Sequence, residues 1–369
     1  MCIIIKTSHE MCSTMHVLEK AKKPLNALKD SVVDVNAVNF WLQKFNPLWS
    51  GSQALGKVVQ KENAANDMVS FTIQINRLFK FGQAGQHHPV FIRVNGIRYE
   101  RTYSLTQLDA QHVLLSVKKV DAGIVSSYLV EKTQVGDIIE FGQPFGEMKL
   151  PSTRSPLILL AAGSGITPML SLLKALSQTK DMSEQPIQLL YWVKRHADAA
   201  FKARFDELAA QYPNFKFQIF FTQEAQADAR LGASHIAQIE NLGASTIYAC
   251  GPSGFVTQAE QLCSSAQCFM SEAFSMSAVD TDEVGFVNIT LTQSNKTVSI
   301  PKGQSILSSL EQQNIKPNHG CRMGICNKCA CNKVEGSTKN LVNGSRNTEP
   351  GNLLKICVNS AQTDLVIDL

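Results

Sequence analysis

The chain has 369 residues, which at about 100–200 residues per domain predicts two or three domains. Its 35 basic and 31 acidic side chains leave a formal net charge of +4, too small for the basic stripe of a nucleic-acid-binding protein. An apolar content of 44% suits folded cores, and no run approaches the roughly 20 apolar residues of a membrane span. Because the first residues also lack a signal-peptide pattern, we expect a cytoplasmic protein without a transmembrane segment.

The first 50 residues follow no regular pattern until a short aromatic segment near their end. Phe40, Trp41, Phe45 and Trp49 lie at spacings that predict a short amphipathic helix. We expect these aromatic side chains to pack against the domain that follows.

Residues 55–150 have the pattern of an antiparallel β domain. Short segments rich in β-branched residues alternate with turns such as Asn95-Gly96, and this spacing predicts a small antiparallel barrel. The predicted strands are residues 55–60, 68–75, 89–94, 97–105, 112–120 and 137–141.

From residue 156 the chain alternates between predicted strands and helices. Residues 156–162 form a continuous apolar run, typical of a buried parallel strand, and further strands are predicted at 187–193, 215–222 and 245–250. This alternation predicts a doubly wound parallel sheet. Residues 271–282 indicate a linker, after which the pattern predicts a hairpin, a helix at 306–313 and a cysteine-rich loop.

The cysteines are concentrated near the end of the chain, which is typical of a metal site rather than of a disulfide framework. Cys321, Cys326 and Cys329 have the spacing C-x4-C-x2-C, and Cys357 lies downstream. This spacing is that of a plant-type [2Fe–2S] site. A structural zinc ribbon would use two C-x2-C pairs, and the distal side here offers only Cys357. We predict that Cys331 is not a ligand, and that glycines in the loop free backbone N–H groups to face the sulfurs.

A second motif lies in the barrel pattern and suits a flavin. Arg101 can pair with a phosphate, Tyr103 can stack on the isoalloxazine ring, and the Ser104 hydroxyl can reach flavin N5. Ser126 and Ser127 open a predicted helix, where free N–H groups suit a pyrophosphate and therefore favour FAD over FMN. The alternative is an ordinary strand with a surface arginine.

A third motif follows the first strand of the parallel sheet. Gly163 and Gly165 form a glycine-rich turn, and Pro168 suits the first helical position with Thr167 as the N-cap. Such a turn is typical of a dinucleotide phosphate site, although a tight strand-to-helix turn would look the same. A later turn at the carboxyl end of the sheet, where ligands bind, carries Cys250, Gly251 and Pro252.

Three basic residues suggest which nucleotide is bound. Lys194, Arg195 and Arg230 follow strands of the parallel sheet, near the expected position of the adenosine ribose. Guanidinium groups suit a 2′-phosphate, so we predict a preference for NADPH over NADH. The alternative is a solvated basic surface.

Taken in this order, the three motifs resemble a ferredoxin–NADP reductase-type flavoprotein fused to a C-terminal plant-type ferredoxin domain. Residues 45–50 (Phe-Asn-Pro-Leu-Trp-Ser) and the loop 320–329 resemble reductases that feed membrane stearoyl-CoA (acyl-CoA) desaturases. The first 35 or so residues match nothing in that family. The resemblance implies FAD, NADPH and one [2Fe–2S] cluster, with flavin contacts from Arg101, Tyr103, Ser104 and Ser127, nicotinamide contacts from Thr167 and Cys250, and a segment near the flavin containing Glu272 and Phe274.

The resulting fold assignment is multidomain, with α/β and all-β parts. An N-terminal extension (1–50) precedes an antiparallel FAD-binding β-barrel (51–152) and a doubly wound parallel α/β NAD(P)-binding domain (153–275). A linker (276–284) then leads to a β-grasp-like [2Fe–2S] ferredoxin domain (285–369).

The expected function is electron transfer from NADPH through FAD and the cluster to a partner protein, with Tyr103, Ser104 and Cys250 at the reacting atoms. The resemblance favours a membrane fatty-acyl-CoA desaturase as partner, which would place this chain at the periphery of the inner membrane. Two alternatives are the reductase of a soluble oxygenase or hydroxylase, with FMN and NADH, and a non-catalytic redox-sensing module.

We also predict a basic docking face around the cluster. Residues 284–369 contain nine Lys and Arg against five Asp and Glu side chains. Arg322, Lys328 and Lys333 flank the cysteine loop, so they would steer the acceptor by charge. The alternative is that these side chains only keep the domain soluble.

Overall fold

The computed structural model of the chain describes residues 34–121, 123–151, 154–224, 229–275 and 285–369. The predicted linker at 276–284 and most of the N-terminal extension lie outside the described residues. None of the helices in the described part of the chain is long and apolar enough to cross a membrane.

The first helix, α1 (Val35–Phe45), confirms the helix predicted near the end of the extension. Its aromatic side chains do not pack on the barrel as expected, because more than half of each of Phe40, Trp41 and Phe45 is exposed. The packed side of α1 is polar instead. The buried Asn39 amide oxygen accepts hydrogen bonds from Ser50 Oγ (3.0 Å) and the Gly51 N–H (2.8 Å), so the aromatic side faces outward.

The antiparallel barrel is confirmed and is closed, with the strand order β1-β2-β5-β4-β3-β6. Apolar side chains of alternate residues, such as Phe71 and Ile73, fill its interior. Helix α2 (Ile124–Glu131) lies between β5 and β6 in the chain. The strands are β1 (Ala54–Ala65), β2 (Met68–Ile75), β3 (His87–Val94), β4 (Ile97–Gln107), β5 (His112–Lys118) and β6 (Ile138–Phe141).

The second domain is the predicted parallel sheet, with five strands in the order β11-β10-β7-β8-β9. The strands are β7 (Leu157–Ala162), β8 (Ile187–Val193), β9 (Phe215–Phe221), β10 (Thr246–Pro252) and β11 (Cys268–Ser275). The helices are α3 (Ile166–Gln178), α4 (Lys202–Gln211), α5 (Ala233–Ile236) and α6 (Ser253–Leu262).

The start of the predicted linker at 271–282 is wrong, because residues 271–275 belong to β11. This strand lies at the edge of the sheet and pairs with β10 in parallel, with Glu272 opposite Cys250. An edge strand can carry polar residues such as Ser271 and Glu272, which is why its composition resembles a linker.

The third domain has the predicted β-grasp-like arrangement of a mixed sheet and a helix. The sheet has the order β13-β12-β19-β14-β17, with β12 and β19 parallel, and a three-stranded sheet β16-β15-β18 lies beside it. The elements are β12 (Phe286–Leu291), β13 (Lys296–Pro301), α7 (Ile306–Gln312), β14 (Ala330–Glu335), β15 (Thr338–Asn340), β16 (Arg346–Asn347), β17 (Asn352–Lys355), β18 (Asn359–Ala361) and β19 (Leu365–Asp368).

The apolar cores divide the molecule into two packed units. One cluster joins Met68 of the barrel and Met148 with Leu157, Leu159 and Tyr191 of the parallel sheet. The third domain has a separate cluster, whose buried members all lie between residues 287 and 367. The barrel and the parallel sheet are therefore packed together, whereas the third domain has a core of its own.

Candidate flavin, nucleotide and cluster sites

A cleft with an empty volume of about 1290 Å³ lies where the three domains meet. The barrel contributes most of its wall, the turn before α3 contributes Ser164, the first turn of α3 contributes Thr167, and β11 contributes Phe274. The third domain closes the cleft with residues of the cysteine loop. From the predicted flavin set, the lining includes Arg101, Tyr103, Ser104 and Ser126, together with Thr102, Ser116, Lys118, Cys321, Arg322 and Met323.

The polar atoms in this cleft suit a ligand with phosphate, hydroxyl and ring groups. Burial and the nearby Arg322 guanidinium lower the pKa of Arg101, and burial raises the pKa of the Tyr103 phenol. Among the described residues, Thr102 Oγ1 and Arg322 Nε are buried without a hydrogen-bond partner. Because buried polar atoms are normally paired, these two fit a bound group that would satisfy them.

A buried hydrogen-bonded chain connects the cleft to the parallel sheet. The Ser104 hydroxyl lies 2.9 Å from His87 Nδ1, and His87 Nε2 contacts a carboxylate oxygen of Glu272 on β11. His87 is 1% exposed and Glu272 is 9% exposed. The chain Ser104–His87–Glu272 can therefore hold a proton between the cleft and the edge of the sheet. Sequence reasoning singled out Ser104 and Glu272 but missed His87, which belongs to no motif.

The two serines at the start of α2 have different positions. Ser126 lines the cleft, and its hydroxyl accepts a hydrogen bond from the Val120 N–H at 3.2 Å. Ser127 is half-buried and is not among the residues that line the cleft. Of the pair, Ser126 is the better placed to bind a pyrophosphate.

A second cleft, with an empty volume of about 1410 Å³, opens at the carboxyl ends of the parallel strands. Of the predicted nucleotide residues, Gly163, Lys194, Arg230 and Pro252 line it. Lys118 lines both clefts, so a dinucleotide in the second cleft could reach the first along this side chain. The described lining residues do not include Arg195, Gly165 or Gly251.

Gly165 lets the glycine-rich turn pack closely against β10 and does not itself line the second cleft. A Cβ atom at this position would lie 2.0 Å from the Cys250 carbonyl oxygen, so only glycine allows β10 to approach so closely. The predicted capping is wrong, because α3 begins at Ile166 after a turn of 3-10 helix. Thr167 lies in the first turn of α3, and its hydroxyl donates to the Ser164 carbonyl at 3.1 Å.

The Cys250 thiol is fully buried and lines neither cleft among the described residues. Burial, reinforced by the Glu272 carboxylate, raises the pKa of this thiol well above its ordinary value. The thiol therefore stays neutral near pH 7 and suits a packing role behind the glycine-rich turn. The predicted place of Cys250 at the reacting atoms stays a prediction.

The four predicted cluster ligands come together as two pairs of thiols. The Cys329 and Cys357 sulfurs lie 3.0 Å apart. Within each pair the thiol–thiol hydrogen bond lowers the pKa of one member, Cys326 or Cys329, and raises the pKa of the other, Cys321 or Cys357. Backbone N–H groups face the sulfurs as predicted. Cys326 Sγ accepts from the Cys321 N–H at 3.3 Å, and Cys321 Sγ accepts from the N–H groups of Met323 (3.4 Å) and Cys326 (3.3 Å). The paired sulfurs and their N–H donors fit an iron–sulfur cluster.

Cys331 lies outside this set. It is buried on β14, its thiol is 3.8 Å from the Leu354 carbonyl oxygen, and burial raises the pKa of the thiol to about 12. The thiol is directed at this carbonyl rather than at a partner sulfur, so the non-ligand role of Cys331 stays our prediction.

The three basic residues named for the predicted docking face all have partners within the chain, and the docking face itself stays a prediction. Lys333 is fully buried, and its ammonium donates to the backbone and side-chain oxygens of Asn347 at 2.8 and 2.9 Å. Arg322 points into the first cleft and donates to both carboxylate oxygens of Glu311 at 2.8 and 2.5 Å. Lys328 is paired with Glu100 of the barrel. The three charges serve contacts within the chain, which counting residues along the sequence could not reveal.

Comparison with known protein families agrees with this arrangement. The family model for an oxidoreductase FAD-binding domain matches residues 55–150, and that for an oxidoreductase NAD-binding domain matches residues 159–261. The model for a 2Fe-2S iron-sulfur cluster binding domain matches residues 289–358. The fold and these sites define an electron-transfer flavoprotein that uses NAD(P)H, FAD and a [2Fe–2S] cluster.

The relatives narrow this class to a family. The chain is 32% identical over 340 residues to an NADPH oxidoreductase of Mycobacterium tuberculosis, which covers 89% of this chain and 88% of that protein. It is 27% identical to the phthalate dioxygenase reductase of Burkholderia cepacia, covering 85% of this chain and 96% of that protein. A solved structure of phthalate dioxygenase reductase, 26% identical, superposes with a TM-score of 0.62 over 85% of this chain and 97% of its own.

The chain therefore belongs to the family of ferredoxin–NADP reductase-type flavoproteins that carry a C-terminal plant-type [2Fe–2S] domain, arranged as in phthalate dioxygenase reductase.

Proposed function

We propose that this chain is the reductase component that delivers single electrons to an oxygenase or hydroxylase protein. One observation carries the proposal: residues of the flavin-type barrel, the nucleotide turn and the cysteine loop line the same cleft. When bound, FAD would supply the conversion of one hydride from NAD(P)H into one proton and two single electrons, and the cluster would supply one-electron transfer to the acceptor.

The residues of this chain supply binding and proton handling for that route. Arg101 and Ser126 would hold phosphate groups, and Tyr103 would pack against the flavin ring. The Ser104 hydroxyl would hold a proton at the reacting edge, with His87 and Glu272 as positioning residues behind it. Phe274 lines the same cleft and would exclude water from its rear wall.

The choice of acceptor rests on the relatives. The phthalate dioxygenase reductase is by its name a dioxygenase component, and it has the same three-part arrangement. The acyl-CoA desaturase expected from residues 45–50 has no support in the names of these relatives. A non-catalytic redox-sensing module does not suit membership of an oxidoreductase family.

Reconstitution with defined acceptors tests the proposal. The purified holoprotein and NADPH are incubated in one set of reactions with the terminal oxygenase components of the same organism. In a second set they are incubated with its membrane acyl-CoA desaturase. We expect NADPH-dependent product formation with an oxygenase component and no product above background with the desaturase. Product with the desaturase alone would overturn the proposal in favour of the desaturase as acceptor.

For the nucleotide we propose a preference for NADPH, with Arg230 as the main contact to the 2′-phosphate. Arg230 is exposed and lines the second cleft beside Lys194 and Thr222. The Mycobacterium tuberculosis relative is by its name an NADPH oxidoreductase.

Arg230→Ala is expected to lower kcat/KM for NADPH by about tenfold to 100-fold, the equivalent of one charged hydrogen bond. The value for NADH should change little, because NADH lacks the 2′-phosphate. Arg195→Ala is the matched control, since Arg195 is exposed nearby but does not line the cleft. Equal losses for both nucleotides in Arg230→Ala would place the phosphate contact elsewhere.

A further inference from the structure

We propose that Glu100 and Lys328 form a docking pair, which positions the cysteine loop of the third domain on the flavin cleft for electron transfer. The Lys328 ammonium donates to both carboxylate oxygens of Glu100, each at 2.7 Å. Glu100 is on β4 of the barrel, whereas Lys328 is in the loop that carries the cluster ligands. The pair therefore joins two domains that are separate in sequence.

Each member of the pair is next to a residue of the electron route. Glu100 precedes Arg101, which lines the flavin cleft, and its backbone carbonyl accepts a hydrogen bond from Arg101 at 2.7 Å. Lys328 lies directly before the ligand Cys329 in the chain. Fixing this pair thus fixes the strand that holds the flavin relative to the loop that holds the cluster.

The surroundings of the pair are shaped to receive it. The Glu100 side chain is 13% exposed, so it lies largely under the cysteine loop. A Cβ atom on Gly320 would lie 2.7 Å from Glu100 Oε1 and 2.9 Å from Lys328 Cδ, so a larger residue there would displace the contact. The Lys328 ammonium also lies 5.6 Å from the centroid of the Phe91 ring on β3, within reach of a cation–π interaction.

The separate apolar cores make this ion pair important for the position of the third domain. Among the residues that the structure describes, the apolar cluster of the third domain includes none from the barrel or the parallel sheet. Small polar interfaces between domains usually permit relative motion, so an ion pair at the boundary can decide the resting position. The rate of electron transfer falls steeply with distance, and opening this boundary would therefore slow reduction of the cluster.

The pair should also respond to salt. Lys328 is 40% exposed, so solvent ions reach it. The Debye length falls from about 10 Å at 0.1 M to about 3 Å at 1 M ionic strength, which weakens a contact of this kind. We expect high salt to favour the undocked position.

This inference rests on the electron route of the proposed function but not on the identity of the acceptor. The test is therefore made on the holoprotein without any acceptor, by anaerobic stopped-flow mixing with NADPH. Flavin reduction and cluster reduction are followed at separate wavelengths. A failure of the proposed acceptor would leave these rates unchanged, so the two outcomes can be told apart.

Glu100→Lys and Lys328→Glu are each expected to leave flavin reduction unchanged and to slow cluster reduction by about tenfold or more, as misplaced reacting groups do. The double variant, with the pair reversed, should regain most of the rate. Glu140→Lys is the matched control, because Glu140 forms an ion pair with Arg98 on the same barrel at 2.9 Å. Hydrogen–deuterium exchange of a peptide spanning 318–330 should increase in the single variants only.

Two results would overturn the docking pair. The first is that both single variants reduce the cluster at the wild-type rate and show wild-type hydrogen–deuterium exchange. The second is that the double variant reduces the cluster no faster than the single variants do. If a variant loses its cluster during purification, the salt dependence of the wild type against Glu100→Gln decides. Cluster reduction should slow with salt in the wild type and be slow and independent of salt in Glu100→Gln. Equal salt slopes in the two proteins would count against the pair.

Discussion

Replacement of Cys357 by serine is expected to abolish the [2Fe–2S] cluster, whereas Cys331→Ser should retain it. Cys357 pairs with Cys329 at 3.0 Å, and Cys331 is turned toward the Leu354 carbonyl in the core of the third domain. Because the flavin and nucleotide clefts are formed mainly by the other two domains, Cys357→Ser should still reduce ferricyanide with NADPH. Its transfer to an acceptor that takes electrons from the cluster should be lost.

The visible spectrum and the iron content of the purified variants measure this result. Cys331→Ser is the matched control, since it makes the same substitution at another buried cysteine of the same domain. Loss of iron in Cys331→Ser together with full iron in Cys357→Ser would show that the ligand set is wrong. A variant without iron that also loses its flavin would show that the domains depend on one another more than their separate cores suggest.

Ser104→Ala is expected to slow flavin reduction by about 100-fold, the lower end of what a positioned proton-handling group contributes. The Ser104 hydroxyl lies at the cleft end of the chain Ser104–His87–Glu272, so the substitution disconnects the cleft from the buried histidine. Glu272→Gln should slow the same step less, because it removes the charge behind His87 but leaves the hydroxyl in place.

Anaerobic stopped-flow measurement of flavin reduction, with the pH dependence of its rate, checks this expectation. Ser116→Ala is the matched control, because Ser116 also lines the cleft but its hydroxyl is bonded to Ser70 at 2.7 Å. A merely structural role of Ser104 would change the thermal stability and leave the pH profile as it is. An unchanged rate and pH profile in Ser104→Ala would remove the hydroxyl from the reaction.

Patterns within a segment predict this fold well, because the order of apolar and polar residues in a strand or helix reflects which of its side chains are buried. The apolar run at 157–162 and the spacing of Cys321, Cys326 and Cys329 depend only on neighbours in the chain, and both predictions agree with the structure. The edge strand β11 is different. It is buried less than a central strand, so residues 271–275 lack the apolar pattern that would have identified it.

Contacts between distant segments account for the other errors. Lys328 and Lys333 are nearly adjacent in sequence and look alike, yet one pairs with Glu100 and the other is buried against Asn347. His87 becomes part of the candidate site only because β3, β4 and β11 bring it between Ser104 and Glu272. No local pattern in the sequence predicts such contacts, since they depend on how strands and loops that are distant in sequence come together in the fold.

The separate core of the third domain also bears on how such chains arise. A domain whose described buried apolar residues form a cluster of their own can be gained, lost or moved to another position with little repacking of its neighbours. The barrel and the parallel sheet lack this freedom, since side chains of both fill one cluster. Gene fusion would therefore have to transfer these two domains together, whereas the iron–sulfur domain could be exchanged by itself. Its attachment to the barrel would then depend on a few charged side chains at the boundary.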